Sequence, residues 1–182
     1  AYANSGANSV EITGTNDAVL LFGDLTTGSY RVSNMMYVVP GNVGYYNTLL
    51  TFDAVGAVYE WGMQVAFETA GTADLAAGVF AAATFTYTPG TWMMNEVYVD
   101  LDNDYAEYWF NGSFVWSWQL SIGTGQYATN QLAANNFYAY TGAGGTDNPL
   151  FYIDDVKLEV AGLDWLTING GLGVSGSVVN GG

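Results

Sequence analysis

A chain of 182 residues, half of them hydrophobic, can bury a core unaided, which argues against disorder and predicts one domain with a short appendage. Seventeen Asp and Glu against two basic residues, Arg31 and Lys157, give a net charge of −15, and such a chain repels both nucleic-acid phosphates and anionic lipid, which need Lys and Arg to bind them. Cysteine and histidine are absent, which removes disulfides, the usual zinc ligand and the usual general base, and no apolar run is long enough for a membrane-spanning helix.

Taken in chain order, the sequence opens on "AYANSG", without an initiator Met or a basic-then-apolar leader, and is expected to be a piece of a longer protein. Short β-rich runs bounded by Gly, Asn, Asp and Thr then recur: "SVEI" (9–12), "AVLLFG" (18–23), "YRVSNMMYV" (30–38), "YYNTLLTF" (45–52), "WGMQVAFE" (61–68) and "ATFTYT" (83–88). "WMMNEVYVDLD" (92–102), "AEYWF" (106–110), "FVWSWQL" (114–120), "NFYAYT" (136–141) and "FYIDDVKLEV" (151–160) complete the series. Helical periodicity is not sustained anywhere, and its best attempt, "TADLAAGVFAAA", is interrupted by Gly78. Many short strands that each bury one face predict an all-β fold, an antiparallel β-sandwich or jelly roll, over residues 1–160. From 161 to 182 the chain becomes Gly-rich and low in charge, as expected of a linker or the start of a following Ig-like module.

The stretch "DLDNDYAEYWFNG" (100–112) gathers acids and aromatics ahead of Asn111-Gly112, a pair suited to a type I′ hairpin turn because both central positions need positive φ. Counting back from that turn sets Trp109 opposite Phe114 and Glu107 opposite Trp116, so Glu107, Trp109 and Trp116 are predicted to share a face. They form a candidate sugar platform, two flat rings with a carboxylate to accept hydroxyl protons, unless the rings only cover the sheet. Asp100, Asp102 and Asp104 match the first ligands of an EF-hand loop, but Tyr105 stands where Gly is needed and Asn111 where Glu is needed. A solvated acidic corner fits them better. No pair of carboxylates is marked as a hydrolase acid and base, so no catalytic residue is assigned and the chain is expected not to be an enzyme.

The succession "SGANSVEI", "GSYRVSNMMYV", "TWMMNEVYVDLDNDYAEYWFNGSFVWSWQL" and "NFYAYTGAGGTDNPLFYIDDVKLE" resembles the concanavalin A-like jelly-roll modules, of laminin-G-like and carbohydrate-binding type, in multidomain proteins exported by the bacterial type IX pathway. The resemblance implies an extracellular or cell-surface bacterial module, non-catalytic and binding or adhesive. Its partners would be a polysaccharide or glycan and the neighbouring modules of the parent chain, and its alternatives are a structural spacer, a self-assembling surface subunit or a glycoside hydrolase-like enzyme. It also implies a structural calcium ion between an early loop, here Ser5, Gly6 and Asn8, and Asp154 of the last strand. Parity points the same way, because Asp154 alternates with Val156, Leu158 and Val160 and is expected to face inward, where a carboxylate needs an ion or hydrogen-bond donors. Calcium and the loop amides both remain open for that role.

Overall fold

The computed structural model describes residues 2–125 and 128–162. The expected appendage, from 163 onward, lies outside the described residues. Among the described residues, twelve strands run in chain order: β1 Val10–Thr13, β2 Asp17–Leu25, β3 Ser29–Val38, β4 Gly44–Asp53, β5 Val58–Phe67, β6 Thr72–Ala76, β7 Ala83–Thr86, β8 Trp92–Asp100, β9 Tyr105–Phe110, β10 Ser113–Gln119, β11 Leu132–Tyr138 and β12 Leu150–Val160. A 3-10 turn, Leu120–Ile122, comes directly after β10.

The strands make two six-stranded sheets with orders β1-β12-β3-β8-β9-β10 and β2-β11-β4-β5-β6-β7. Every strand pair is antiparallel. The predicted antiparallel sandwich is therefore the observed fold. Val32, Met36, Val97, Val99 and Tyr108 of the first sheet face Tyr46, Leu50, Met63, Val65 and Phe137 of the second in one core. Of the adjacent methionine pairs, Met36 and Met93 are buried and Met35 and Met94 are not, as alternation requires.

That core is not purely apolar. Tyr108 donates to the Asn95 side chain at 2.8 Å, Asn95 donates to Asn34 at 3.1 Å, and Thr48 donates to Asn135 at 2.8 Å, all buried. Pairing offsets most of the cost of placing these groups away from water, while the buried Asn135 Nδ2 has no hydrogen-bond partner among the described residues.

β6 has no counterpart among the predicted runs. "TADLA" is alanine-rich and resembles a broken helix, yet Ala73, Leu75 and Ala77 are all buried, a period of two that tertiary packing turns into a strand. The Asn111-Gly112 turn forms as expected, with φ of 48° and 74°.

Bulges in β10, β12 and β5 displace side chains from the faces that simple alternation assigns. In β10 the register slips between Phe114 and Trp116, so Trp116 pairs with Tyr108 and Trp118 with Ala106. In β12 it slips between Asp154 and Lys157, where Asp155 takes φ of 47°. In β5 the pairing jumps from Met63 to Trp61 across Gly62. A Cβ at Gly62 would come within 2.6 Å of the Leu50 side chain, so the close approach requires glycine. Each extra residue re-aims the side chains beyond it.

Candidate functional site

The bulge in β10 separates the expected platform. Trp109 lies on the outer face of the first sheet, edge-on to Tyr98 and Phe114 with centroid distances of 6.2 and 5.6 Å. Trp116 has turned to the opposite side, where its indole N–H donates to the Ala77 carbonyl beside the second sheet at 3.1 Å. Trp109 and Trp116 thus do not share a face. Glu107 does stay with Trp109, but Tyr105 and the Trp109 indole donate to its two oxygens at 2.7 and 2.9 Å. Trp92 and Tyr98, expected in the core with Val99, instead lie on this outer face because they alternate with the buried Met93, Val97 and Val99, and Tyr98 sits opposite Arg31. Arg31 reaches Glu96 at 2.6 Å and Glu159 at 2.5 Å.

Asp154 likewise departs from its expected inward direction. It precedes the bulge, pairs with Met35 and lies on the outer side, whereas Val156 and Leu158 pack against the core. The expected partnership between the early loop and the last strand nonetheless exists. The amides of Asn4 and Ser5 donate to Asp154 Oδ2 at 2.8 and 3.0 Å, and the Asp155 amide donates to Oδ1 at 2.8 Å. The Ser5 hydroxyl and Asn4 side chain reach Asp155 at 2.6 and 2.9 Å. These bonds hold the Asp155 carboxyl below its ordinary range, the Ser5 hydroxyl contributing most. Among the described residues no such bond joins Gly6 or Asn8 to either acid, and no cluster of three or more metal-ligating side chains occurs. Donors converge on these carboxylates rather than further oxygens, an arrangement that fits a clasp for the N-terminal loop better than a hard cation.

The acids of the 100–112 stretch also serve the backbone. Asp102 is exposed, as expected of a solvated corner, but Asp100 is buried and accepts from the Asp102 and Asn103 amides at 3.1 Å each. Asp104 accepts from the Ser121 amide and hydroxyl at 2.8 and 2.6 Å and from Gln119 at 2.8 Å. Burial raises its pKa, but these bonds outweigh it and hold the group below the usual carboxylate range.

The open site lies on the outer face of the second sheet. A groove of about 490 Å³ crosses β2, β11, β4 and β5, with Asp17, Tyr45, Asn47, Trp61, Gln64 and Tyr138 in its lining. Tyr45, Asn47 and Gln64 face out because they alternate with the core residues Tyr46 and Val65, and Trp61 joins them through the Gly62 bulge. Leu49, fully buried, forms the floor. At one end Tyr45 packs against Tyr140 at 5.1 Å and Tyr138 at 6.3 Å; at the other, Tyr59 meets Trp61 edge-on at 5.2 Å. Trp61 is 39% and Tyr138 48% exposed, so both offer ring surface to a ligand. A second hollow of about 250 Å³ shares Tyr59, Trp61 and Gln64 and extends the groove past Glu60 towards Phe80 and Thr124.

Electrostatics divide the two ends. Burial pushes the Asp17 carboxyl up, against hydrogen bonds from Asn136 and the Ala18 amide. Glu60 is held low, chiefly by the Thr51 hydroxyl at 2.6 Å, with burial opposing and the Thr129 amide at 3.1 Å adding to it. Burial raises the Tyr45 hydroxyl to about 12 despite a bond from Asn47. The signal for this site is present in the alternation Asn136, Tyr138, Tyr140 and in Tyr45, Asn47, but the denser hairpin aromatics draw the expectation elsewhere.

No family model matches the chain, and no curated protein matches it in sequence. Solved structures match its shape. A sialidase superposes with a TM-score of 0.59 at 11% identity, over 83% of this chain and 15% of the sialidase. A family 7 alginate lyase, A1-II′, solved in complex with substrate, gives 0.55 at 12% identity over 75% of this chain and 62% of the lyase. The carbohydrate recognition domain of Emp47p gives 0.54 at 12% identity over 86% of this chain and 84% of that domain. The chain thus spans a small part of the sialidase, under two thirds of the lyase and most of the recognition domain. At these identities the likeness carries the fold alone: the chain is an antiparallel β-sandwich of the jelly-roll, concanavalin A-like class.

Proposed function

We propose that the chain is a non-catalytic carbohydrate-binding module and that the groove on the outer face of the second sheet is its binding site. The observation that carries this reading is the groove itself, in which exposed rings of Trp61 and Tyr138 flank the half-buried Gln64 amide above a floor formed by the buried Asn47 and Leu49. Sugar rings present apolar faces to aromatic side chains and hydroxyls to amides, and this lining offers both. The carbohydrate recognition domain of nearly equal extent supports it.

A binding role is favoured over turnover by the placement of the acids. Asp17 stands on β2 and Glu60 on β5, three strand spacings or about 14 Å apart across the sheet and further along it, since Ala18, next to Asp17, is level with Val65 through Phe137 and Tyr46, whereas a hydrolase pair is held at roughly 5 to 9.5 Å. Tyr45 is not favoured as a lyase-type base either, since burial raises its hydroxyl to about 12 and it is protonated at neutral pH. We place the module in an exported or cell-surface bacterial protein, the setting implied by the resemblance in sequence, and among the described residues no helix is long and apolar enough to cross a membrane. One observation favours the spacer or assembly role instead, the edge strand β2 with Leu20 and Leu21 exposed.

The test is a glycan array probed with the intact chain, followed by assay of each bound glycan for cleavage. Retention without cleavage is expected. Cleavage of a bound glycan would overturn the non-catalytic assignment, and failure to retain any glycan would favour assembly through β2.

A further inference from the structure

Resting on the carbohydrate-binding reading, we infer that the groove selects an uncharged glycan chain several rings long and rejects the acidic sugars. Three observations carry this.

The first is where the cations are. The chain has only Arg31 and Lys157, and both belong to the first sheet, on β3 and β12. Arg31 is already engaged by Glu96 and Glu159. The groove lies on the far side of the sandwich, so the thickness of two packed sheets, about 10 Å between backbones, separates it from either charge. A uronic or sialic carboxylate is recognised by Arg or Lys, which supply charge-assisted donors. The groove lining has neither.

The second is which charges the groove does hold. Asp17 and Glu60 stand at its two ends, and with the net charge of −15 they repel an approaching polyanion. The same charges draw a polycation at long range, so selection against it rests on close contact, where the Asp17 carboxylate is already met by Asn136 and the Ala18 amide. Glu60 is occupied by the Thr51 hydroxyl and the Thr129 amide. The recognition that remains is neutral: hydroxyls meet Gln64, whose amide is only half-buried, and ring faces meet Trp61, Tyr59 and Tyr138.

The third is extent. The lining runs from β2 to β5, about 14 Å across the strands, and continues past Trp61 into the second hollow. Aromatic surface stands at both ends, Tyr138 and Tyr140 at one and Trp61 and Phe80 at the other. A single sugar ring cannot touch both, so affinity should rise with chain length until both ends are covered.

Affinity electrophoresis of the intact chain through gels containing a neutral β-glucan, xylan, mannan, alginate, polygalacturonate or chitosan tests this, repeated at about 0.1 and 1 M salt, where screening of charges differs most. Oligomers of the retaining polymer are then titrated in order of length. The expected result is retardation by at least one neutral polymer, unaltered by salt, lost in Trp61→Ala, with affinity rising at least tenfold from disaccharide to longer oligomers. Salt-sensitive retardation by alginate, polygalacturonate or chitosan that is lost in Trp61→Ala would overturn the neutral preference while leaving the groove as the site. A flat length series would overturn the extended chain. Retardation that survives Trp61→Ala and Tyr138→Ala, or no retardation by any polymer, would refute the groove itself.

Discussion

Asn47 of β4 stands directly opposite Asn136 of β11 on one side and Gln64 of β5 on the other, so three side-chain amides cross the floor of the groove in one row. Asn47 is buried and its Oδ1 and that of Asn136 are shut off from solvent, so Gln64 is the amide of the row that offers an uncharged donor and acceptor to a ligand. Gln64, half-buried on the β5 side, also borders the second hollow. Gln64→Ala should weaken glycan binding by about 0.5–1.5 kcal/mol, the net worth of a hydrogen bond, and leave the melting midpoint unchanged. Calorimetric titration checks this; unchanged affinity would remove Gln64 from the site.

The tryptophans divide by burial rather than by their spacing in the hairpin. Trp118 is 6% exposed within the core, and Trp118→Ala should destabilise by about 3–5 kcal/mol, the usual cost of deleting a buried aromatic. Trp61→Ala, at a site 39% exposed, should cost about 1 kcal/mol, within the range of a partly exposed position. Urea unfolding of the two variants reads the difference directly, and equal losses would contradict the assignment of Trp61 to an open groove.

How the last strand grips the N-terminal loop bears on calcium. Asp154 is already met by the Asn4, Ser5 and Asp155 amides, so both its oxygens have donors without an ion. The melting midpoint should therefore be the same in calcium and in chelator. A rise in calcium would reinstate the ion, because a ligand bound only by the folded state stabilises it by mass action. Asp154→Ala should speed hydrogen exchange at the Asn4 and Ser5 amides.

Asp104 provides a pH handle. Burial raises its pKa, but the bonds from Ser121 and Gln119 prevail, so the folded-state value lies below the unfolded one. Its stabilising contribution is thus complete above the unfolded pKa of about 4 and is lost as the pH falls through the folded value. Asp104→Asn should be less stable than the parent at neutral pH, with the gap closing in acid below about pH 4. Asp17 and Glu68, raised mainly by burial, act in the opposite sense and blunt the overall acid slope. Denaturant midpoints measured against pH for parent and variant decide it; a gap independent of pH would show that Asp104 acts by packing rather than by charge.

The strands, the antiparallel pairing and the hairpin turn are legible in the sequence because alternation and Asn-Gly report local backbone preference. Side-chain direction is legible only up to each bulge. Counting from Asn111-Gly112 places Trp109 and Phe114 opposite each other, as found, and fails at Trp116, one residue beyond the slip. Counting along β12 fails at Asp154 for the same reason, since the bulge at Asp155 and Val156 turns Val156 and Leu158 inward instead. The direction of Trp61 is not legible because it depends on Gly62, whose contact with Leu50 joins residues of different strands. β6 is hidden by its alanines. Bulges arise from how two strands fit together, and neither strand alone announces them.

The proposed glycan site lies on the second sheet and not on the hairpin of the first. Binding of the best glycan from the array, measured for Trp61→Ala and Trp109→Ala at temperatures where both variants are folded, separates the two faces. Loss of binding in Trp61→Ala with parental affinity in Trp109→Ala is the expected result. Retained affinity in Trp61→Ala with loss in Trp109→Ala would contradict the assignment and return the site to Glu107 and Trp109.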